Sequence, residues 1–88
     1  MPEVDYIARI RLTLWRHRDR GDEWMHTYRL DQLRQLVRWM RQGGRKLGPT
    51  AVRLAAMVDG AEGINGQTDV IVSRGQLGLL LADLERMQ

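Results

Sequence analysis

The side chains that could do chemistry in this chain are few, and most of them are arginines. Cysteine is absent, which removes disulfides, thiolate nucleophiles and thiolate metal sites together. The only serine is Ser73; its position before a helical pattern suits a cap, and neither it nor the Thr residues have an evident His–carboxylate pairing. His17, Asp19, Asp22 and Glu23 lie close together, with His26 just beyond. A metal or acid–base site is conceivable there, but Arg16, Arg18 and Arg20 are interleaved and repel a cation. The spacing matches no zinc or calcium pattern. His26 reads as a structural histidine facing inward.

Asp83 and Glu85 sit on a charged helix end, where solvation accounts for them. Phosphate-cradling glycine patterns fail too. Gly43-Gly44 follows a helical stretch instead of opening one, and Gly60-Ala-Glu-Gly63-Ile-Asn-Gly66 has no Lys-Ser/Thr after it. Arg74-Gly75 opens the last helix and could offer amides to an anion, which alone is a weak signal. The expectation is no catalysis, no metal, no cofactor and no small-molecule substrate.

What remains is arginine. Thirteen of the 14 basic residues are Arg. Arg forks onto phosphate or carboxylate and stacks on rings, where Lys acts as a point charge. A genome rich in G and C explains the same bias. The net charge of +3 resides in residues 1–44, and residues 45–88 are balanced. Dedicated nucleic-acid binders carry a stronger surplus.

The elements that must position these residues repeat. Shifted by 44 residues, the apolar positions coincide without a gap: Ala8, Ile10, Leu12 and Leu14 with Val52, Leu54, Ala56 and Val58, and Leu33, Leu36, Val37 and Met40 with Leu77, Leu80, Leu81 and Leu84. Eighty-eight residues make one domain with a limited core, in halves 1–44 and 45–88.

Tyr6 to Arg16 alternates with period two, which predicts a half-buried strand. A helix through Val4, Ile7, Ile10 and Leu14 competes, but sets Arg11 near its apolar stripe. A polar turn over residues 16–23 leads to a strand from Trp24 to Leu30, completing a hairpin. A helix follows from Asp31 to Gln42, ended by Gly43-Gly44. Thr50 to Asp59 is read as a strand by the same repeat, although Ala-Val-Arg-Leu-Ala-Ala-Met-Val is also a good helix former. Asn65-Gly66 marks a turn, Thr68 to Ser73 a strand, and Ser73 with Gln76 a capping box for a helix to about Met87.

The predicted fold is α+β: a two-layer ββα-ββα pseudo-repeat, a four-stranded antiparallel sheet with two helices on one face. The opposite sheet face is then bare and carries Arg9, Arg11, Trp15, Met25, Arg29, Arg53, Met57 and Ile71. Exposed apolar surface of this kind marks an interaction site, and Trp, Met and Arg are enriched in interface cores. The functional expectation is a non-catalytic module binding a protein, with a homo-oligomer as the simplest case, in the manner of a bacterial or phage accessory or inhibitor protein.

The alternative is a nucleic-acid binder that uses the same arginines with Trp15 stacking. A possible basic ridge comprises Arg16, Arg18 and Arg20 in the first loop and Arg34, Arg38 and Arg41 on the first helix. No run reaches the roughly 18 apolar residues of a membrane span, and the N-terminus lacks a signal-peptide layout, so a cytoplasmic protein is expected.

Overall fold

The two stretches that alternate with period two are helices. In the computed structural model, which describes residues 5–42 and 46–87, the element order is α1 (Tyr6–Arg16), β1 (Met25–Arg29), α2 (Leu30–Arg41), α3 (Pro49–Gly60), β2 (Asp69–Ser73) and α4 (Arg74–Arg86). The expected four-stranded sheet is therefore corrected to one two-stranded antiparallel ribbon, β1–β2, packed with four helices.

The reason is local. In α1, Ile7 and Ile10 are buried and Leu14 is half-buried, a helical spacing. The Asp5 carboxylate accepts from the Ala8 amide at 2.9 Å, an N-cap that a strand does not need. Arg11 does not burden the apolar stripe, because it lies in solvent within 3.6 Å of Glu85. In α3, Pro49 occupies the first helical turn after Gly48, where its missing N–H costs nothing. Ala51, Ala55 and Val58 then face the core at helical intervals.

The remaining elements match the sequence reading closely. β1 and β2 turn His26, Tyr28, Val70 and Val72 inward and Met25, Thr27, Arg29, Asp69 and Ile71 outward. Leu33, Leu36, Val37 and Met40 of α2, with Leu77, Leu80 and Leu84 of α4, are buried. Gly43-Gly44, expected to end α2, lies outside the described residues. Of Tyr6, Ala8, Ile10, Leu12 and Leu14, expected inward together, Ile10 is buried while Ala8 and Leu12 are exposed.

The repeat survives this change of element type. Each element of the second half begins 43 or 44 residues after its counterpart. Thr27 pairs with Ile71, its own equivalent 44 residues on, and Met25 and Arg29 pair with Ser73 and Asp69. An antiparallel ladder with that register has a local two-fold axis midway between Thr27 and Ile71, relating the two strands and the helix starts that follow them.

Hydrogen bonds repeat under the same axis. Leu30 N donates to the Thr68 carbonyl at 2.9 Å and, equivalently, Arg74 N to the Trp24 carbonyl at 2.7 Å; Asp31 N donates to Gly66 O and Gly75 N to Asp22 O, both at 3.0 Å. Gln32 Oε1 accepts from Arg29 N at 2.9 Å, as Gln76 Oε1 accepts from Ser73 N at 3.2 Å. Each strand thus passes directly into a helix whose first amides are bonded by the other half. α1 packs on α4 and α2 on α3, and α3 also packs on α4.

Candidate functional site

The two-fold axis sets one groove beside each strand of the ribbon. The groove beside β1, about 390 Å³, lies against Arg9, Ile10, Thr13, Arg16, Tyr28 and Leu36. The groove beside β2, about 370 Å³, has the equivalent backbone walls: α3 with Arg53, Leu54 and Met57, β2 from Val70 to Val72, and α4 with Gln76, Leu79 and Leu80. Ile10/Leu54, Tyr28/Val72 and Leu36/Leu80 are equivalent pairs, and Leu54, Val72 and Leu80 line both grooves, so both floors are apolar.

The surroundings differ. Met57, Ile71 and Leu79 are 40%, 64% and 58% exposed. Their equivalents in the first half are Thr13, Thr27 and Gln35. On an equivalent course of elements, the first half offers water the Thr27 hydroxyl and the Gln35 amide and turns the half-buried Thr13 hydroxyl to the Arg9 carbonyl at 3.1 Å, where the other half offers three large apolar side chains. Solvation is the ordinary state of such positions, so the second half departs from it three times around one groove. Arg53 is the only charged side chain lining that groove, and it makes no ion pair among the described residues.

The expected binding residues are all exposed, but they do not share one face. Arg53, Met57 and Ile71 come together at the β2 groove. Met25 and Arg29 lie with Ile71 on the outer face of the ribbon, where Arg29 donates to Gln67 Oε1 at 2.9 Å. Arg9 and Arg16 line the β1 groove. Arg11 pairs with Glu85, as above. Trp15, 62% exposed, stands at the end of α1 with the Arg18 guanidinium 4.0 Å over its ring. These residues separate because α1 and α3 coil, which spreads side chains around two cylinders instead of across one sheet.

The basic ridge is likewise divided. Arg34 donates to the Asp31 carboxylate and to the Ala61 and Ile64 carbonyls, the latter at 2.7 Å. Arg41 and Asp59 form a two-pronged pair at 3.0 and 2.6 Å; those bonds hold the Asp59 carboxyl below its usual range. Arg38 has no ion pair among the described residues. Arg16, Arg18 and Arg20 remain near Trp15 at the first loop without a described carboxylate partner. A wider cavity of about 730 Å³ between α2 and the end of α3 has Arg34, Arg38, Arg41, Asp59 and Glu62 on its walls, but internal bonds occupy Arg34, Arg41 and Asp59.

The loop histidines pack against rings. His17 stacks on Trp24 with centroids 3.9 Å apart, and His26 sits between Trp24 and Tyr28 at 5.7 and 4.6 Å. Burial pushes His26 below its ordinary value, and the His17 charge adds to this. Burial also pushes the Tyr28 hydroxyl up, opposed by a hydrogen bond with Thr13. Asp22 pairs with Arg74 at 3.3 Å. Among the described residues no group of three His, Cys, Asp or Glu could hold a metal ion. Ser73 accepts from Gln76 N at 3.2 Å, the cap its position suggests.

Asp83 is a correction. It is not solvated but 2% exposed, and one oxygen accepts from Thr50 N and Ala51 N at 2.8 and 3.1 Å. Its other oxygen accepts from Arg86 at 2.6 Å. A carboxylate on α4 thereby caps α3.

Leu79 is the residue that sequence reasoning undervalued. A lone Leu on the outer side of a helix is ordinary. The available signal was the pair Gln35/Leu79 under the 44-residue shift, read together with Thr13/Met57 and Thr27/Ile71. Comparison of the chain with protein-family models, curated proteins and solved structures gives no match. Among the described residues no helix is long and apolar enough to cross a membrane.

Proposed function

We propose that this chain is a non-catalytic interaction module that binds a protein partner through the apolar groove beside β2. The observation that carries this reading is the replacement of Thr13, Thr27 and Gln35 by Met57, Ile71 and Leu79 at equivalent positions of one skeleton. Three exposed apolar side chains around a groove with an apolar floor form the kind of patch that becomes energetically useful when covered. Burying a side chain of that size contributes on the order of 1.5–3 kcal/mol. Arg53 supplies the polar contact that orients a partner.

The test uses the molecule as its own control. In the triple variant Met57→Thr, Ile71→Thr and Leu79→Gln, the second half takes the residues of the first. The variant keeps the helical circular dichroism of the natural chain, because all three positions are exposed. It loses association, measured as self-association by light scattering and as proteins retained on the immobilised chain at 0.5 M salt. Association unchanged by the triple substitution removes this reading.

One observation favours nucleic acid as a second reading: Trp15 with Arg16, Arg18 and Arg20 at one loop, the three arginines making no ion pair among the described residues. Binding there weakens steeply with salt as counterions are released, and Arg16→Gln with Arg20→Gln abolishes it while leaving the β2 groove intact.

A further inference from the structure

The groove beside β2 has an open wall, and the ladder shows how it can be closed. Leu30 N bonds to Thr68 O and Arg74 N to Trp24 O, which are even-numbered pairs in the register of the ribbon. Antiparallel ladders alternate hydrogen-bonded and non-hydrogen-bonded pairs. The even residues therefore bond across the ribbon, and the odd residues turn their N–H and C=O groups to the outer edges. Arg29 N and Ser73 N confirm this direction, because both bond outward to the side chains of Gln32 and Gln76. Ile71 and Asp69 are left on the β2 edge with no backbone bond to a described residue. Thr27 and Met25 are left in the same way on the β1 edge.

An open edge is a template for another strand. We infer that the β2 edge pairs with the β2 edge of a second copy of this chain, antiparallel and centred on Ile71, to build a four-stranded sheet in the order β1-β2-β2-β1 across the dimer. This rests on the reading of the β2 groove as the binding surface and names its occupant.

Three features favour a second copy. The register is self-complementary: with Ile71 opposite Ile71, the two Ile71 residues face one another as a hydrogen-bonded pair, and Asp69 falls opposite Ser73 of the second copy, whose N–H stays with Gln76. Charge agrees with that register. No like charges oppose across the seam, and the Ser73 hydroxyl, whose oxygen accepts from Gln76 N, keeps its proton to donate to the Asp69 carboxylate. The centre is apolar, Ile71 against Ile71, and in each copy the Met57 and Leu79 rim flanks it. The β1 edge centres on Thr27 beside a groove lined by Arg9 and Arg16, one cation more than the β2 groove, where Arg53 is the equivalent of Arg9; a polar centre and added charge discourage an apolar edge-to-edge seam. The two edges thus predict one closed dimer and not a growing fibre.

The experiment reads mass and a cross-link in the full chain. Light scattering gives twice the 10.2 kDa chain mass for the natural protein. It gives once that mass for Ile71→Lys and twice for Thr27→Lys, which loads the opposite edge equally. Because the chain has no Cys, Ile71→Cys is a clean probe. Residues in a hydrogen-bonded antiparallel pair have Cα atoms about 5.5 Å apart, within disulfide reach. Mild oxidation therefore converts Ile71→Cys to a covalent dimer and leaves Thr27→Cys without a cross-link.

A natural chain that stays monomeric overturns the self-pairing. If it still captures another protein that the triple groove variant loses, the reading of the groove stands without it. A dimer that survives Ile71→Lys, or that cross-links through residue 27, overturns the β2 seam. Ile71→Lys can be compared with Ile71→Thr, the residue its equivalent already carries, so that a loss of folding is not mistaken for a loss of pairing.

Discussion

Positions 39 and 83 are equivalent under the internal two-fold axis, and they show how far one skeleton can diverge. In the first half the position is Trp39, whose ring meets Tyr6 with centroids 5.3 Å apart. In the second half it is Asp83, buried and bonded to the amides of Thr50 and Ala51; Thr50 is the equivalent of Tyr6. A pair of large rings holds the start of α1 away from α2. A small carboxylate, with Ala51 and Ala55 in place of Ile7 and Arg11, lets α3 close on α4. The lesson is that the ribbon and the caps of α2 and α4 define the repeat, whereas the seating of α1 and α3 is free to differ. The same freedom separates the polar rim of one groove from the apolar rim of the other.

Removing Asp83 breaks that comparison most severely. Asp83→Ala leaves two amides at the start of α3 without a partner in a buried place, each costing about 1–3 kcal/mol. We expect a loss of about 3 kcal/mol in urea unfolding, and a loss under 1 kcal/mol refutes the capping role. Gln32→Ala and Gln76→Ala sharpen the comparison from the other side. Their bonds to Arg29 N and Ser73 N are equivalent, although only α4 has the reciprocal Ser73 Oγ bond, so each costs about 1 kcal/mol, and the two midpoints should shift together; a clear inequality means that the halves are not energetically matched at the ribbon.

The smallest expected effect is on pH. The folded state holds His26 below its ordinary value, so the unfolded chain binds more protons as pH falls through about 6.5. Stability is therefore full above that point and declines below it. His26→Val, which installs the equivalent Val70, should flatten the melting temperature between pH 7.5 and 5, and an unchanged slope assigns the decline to other groups.

Much of this was legible in the residues. Val70, Ile71 and Val72 between Asn65-Gly66 and the Ser73–Gln76 box could only be a short strand entering a helix, and the Leu spacing of α2 and α4 is helical without rival. The failure at α1 and α3 has a specific cause. Tyr6, Ala8, Ile10, Leu12 and Leu14 satisfy period two, while Ile7, Ile10 and Leu14 satisfy a helical period in the same window. Asp5 as a cap and Pro49 just inside a helix start were the tie-breakers. The site was read in part. Arg53, Met57 and Ile71 were recognisable as apolar and basic residues in excess of what solvent needs. Their assembly around one groove with Leu79 depends on α3 crossing beside β2, and no one-dimensional pattern encodes that crossing.

The exchange of carbonyls at the starts of α2 and α4 has a consequence for how the polypeptide acquires its shape. Thr68 and Gly66 serve the first half, while Trp24 and Asp22 serve the second, so neither 44-residue piece contains the acceptors its own helix needs. Severed between Gln42 and Lys46, the two fragments should each stay largely unstructured and regain their helices only on mixing. That mutual dependence makes the two halves one cooperative folding unit.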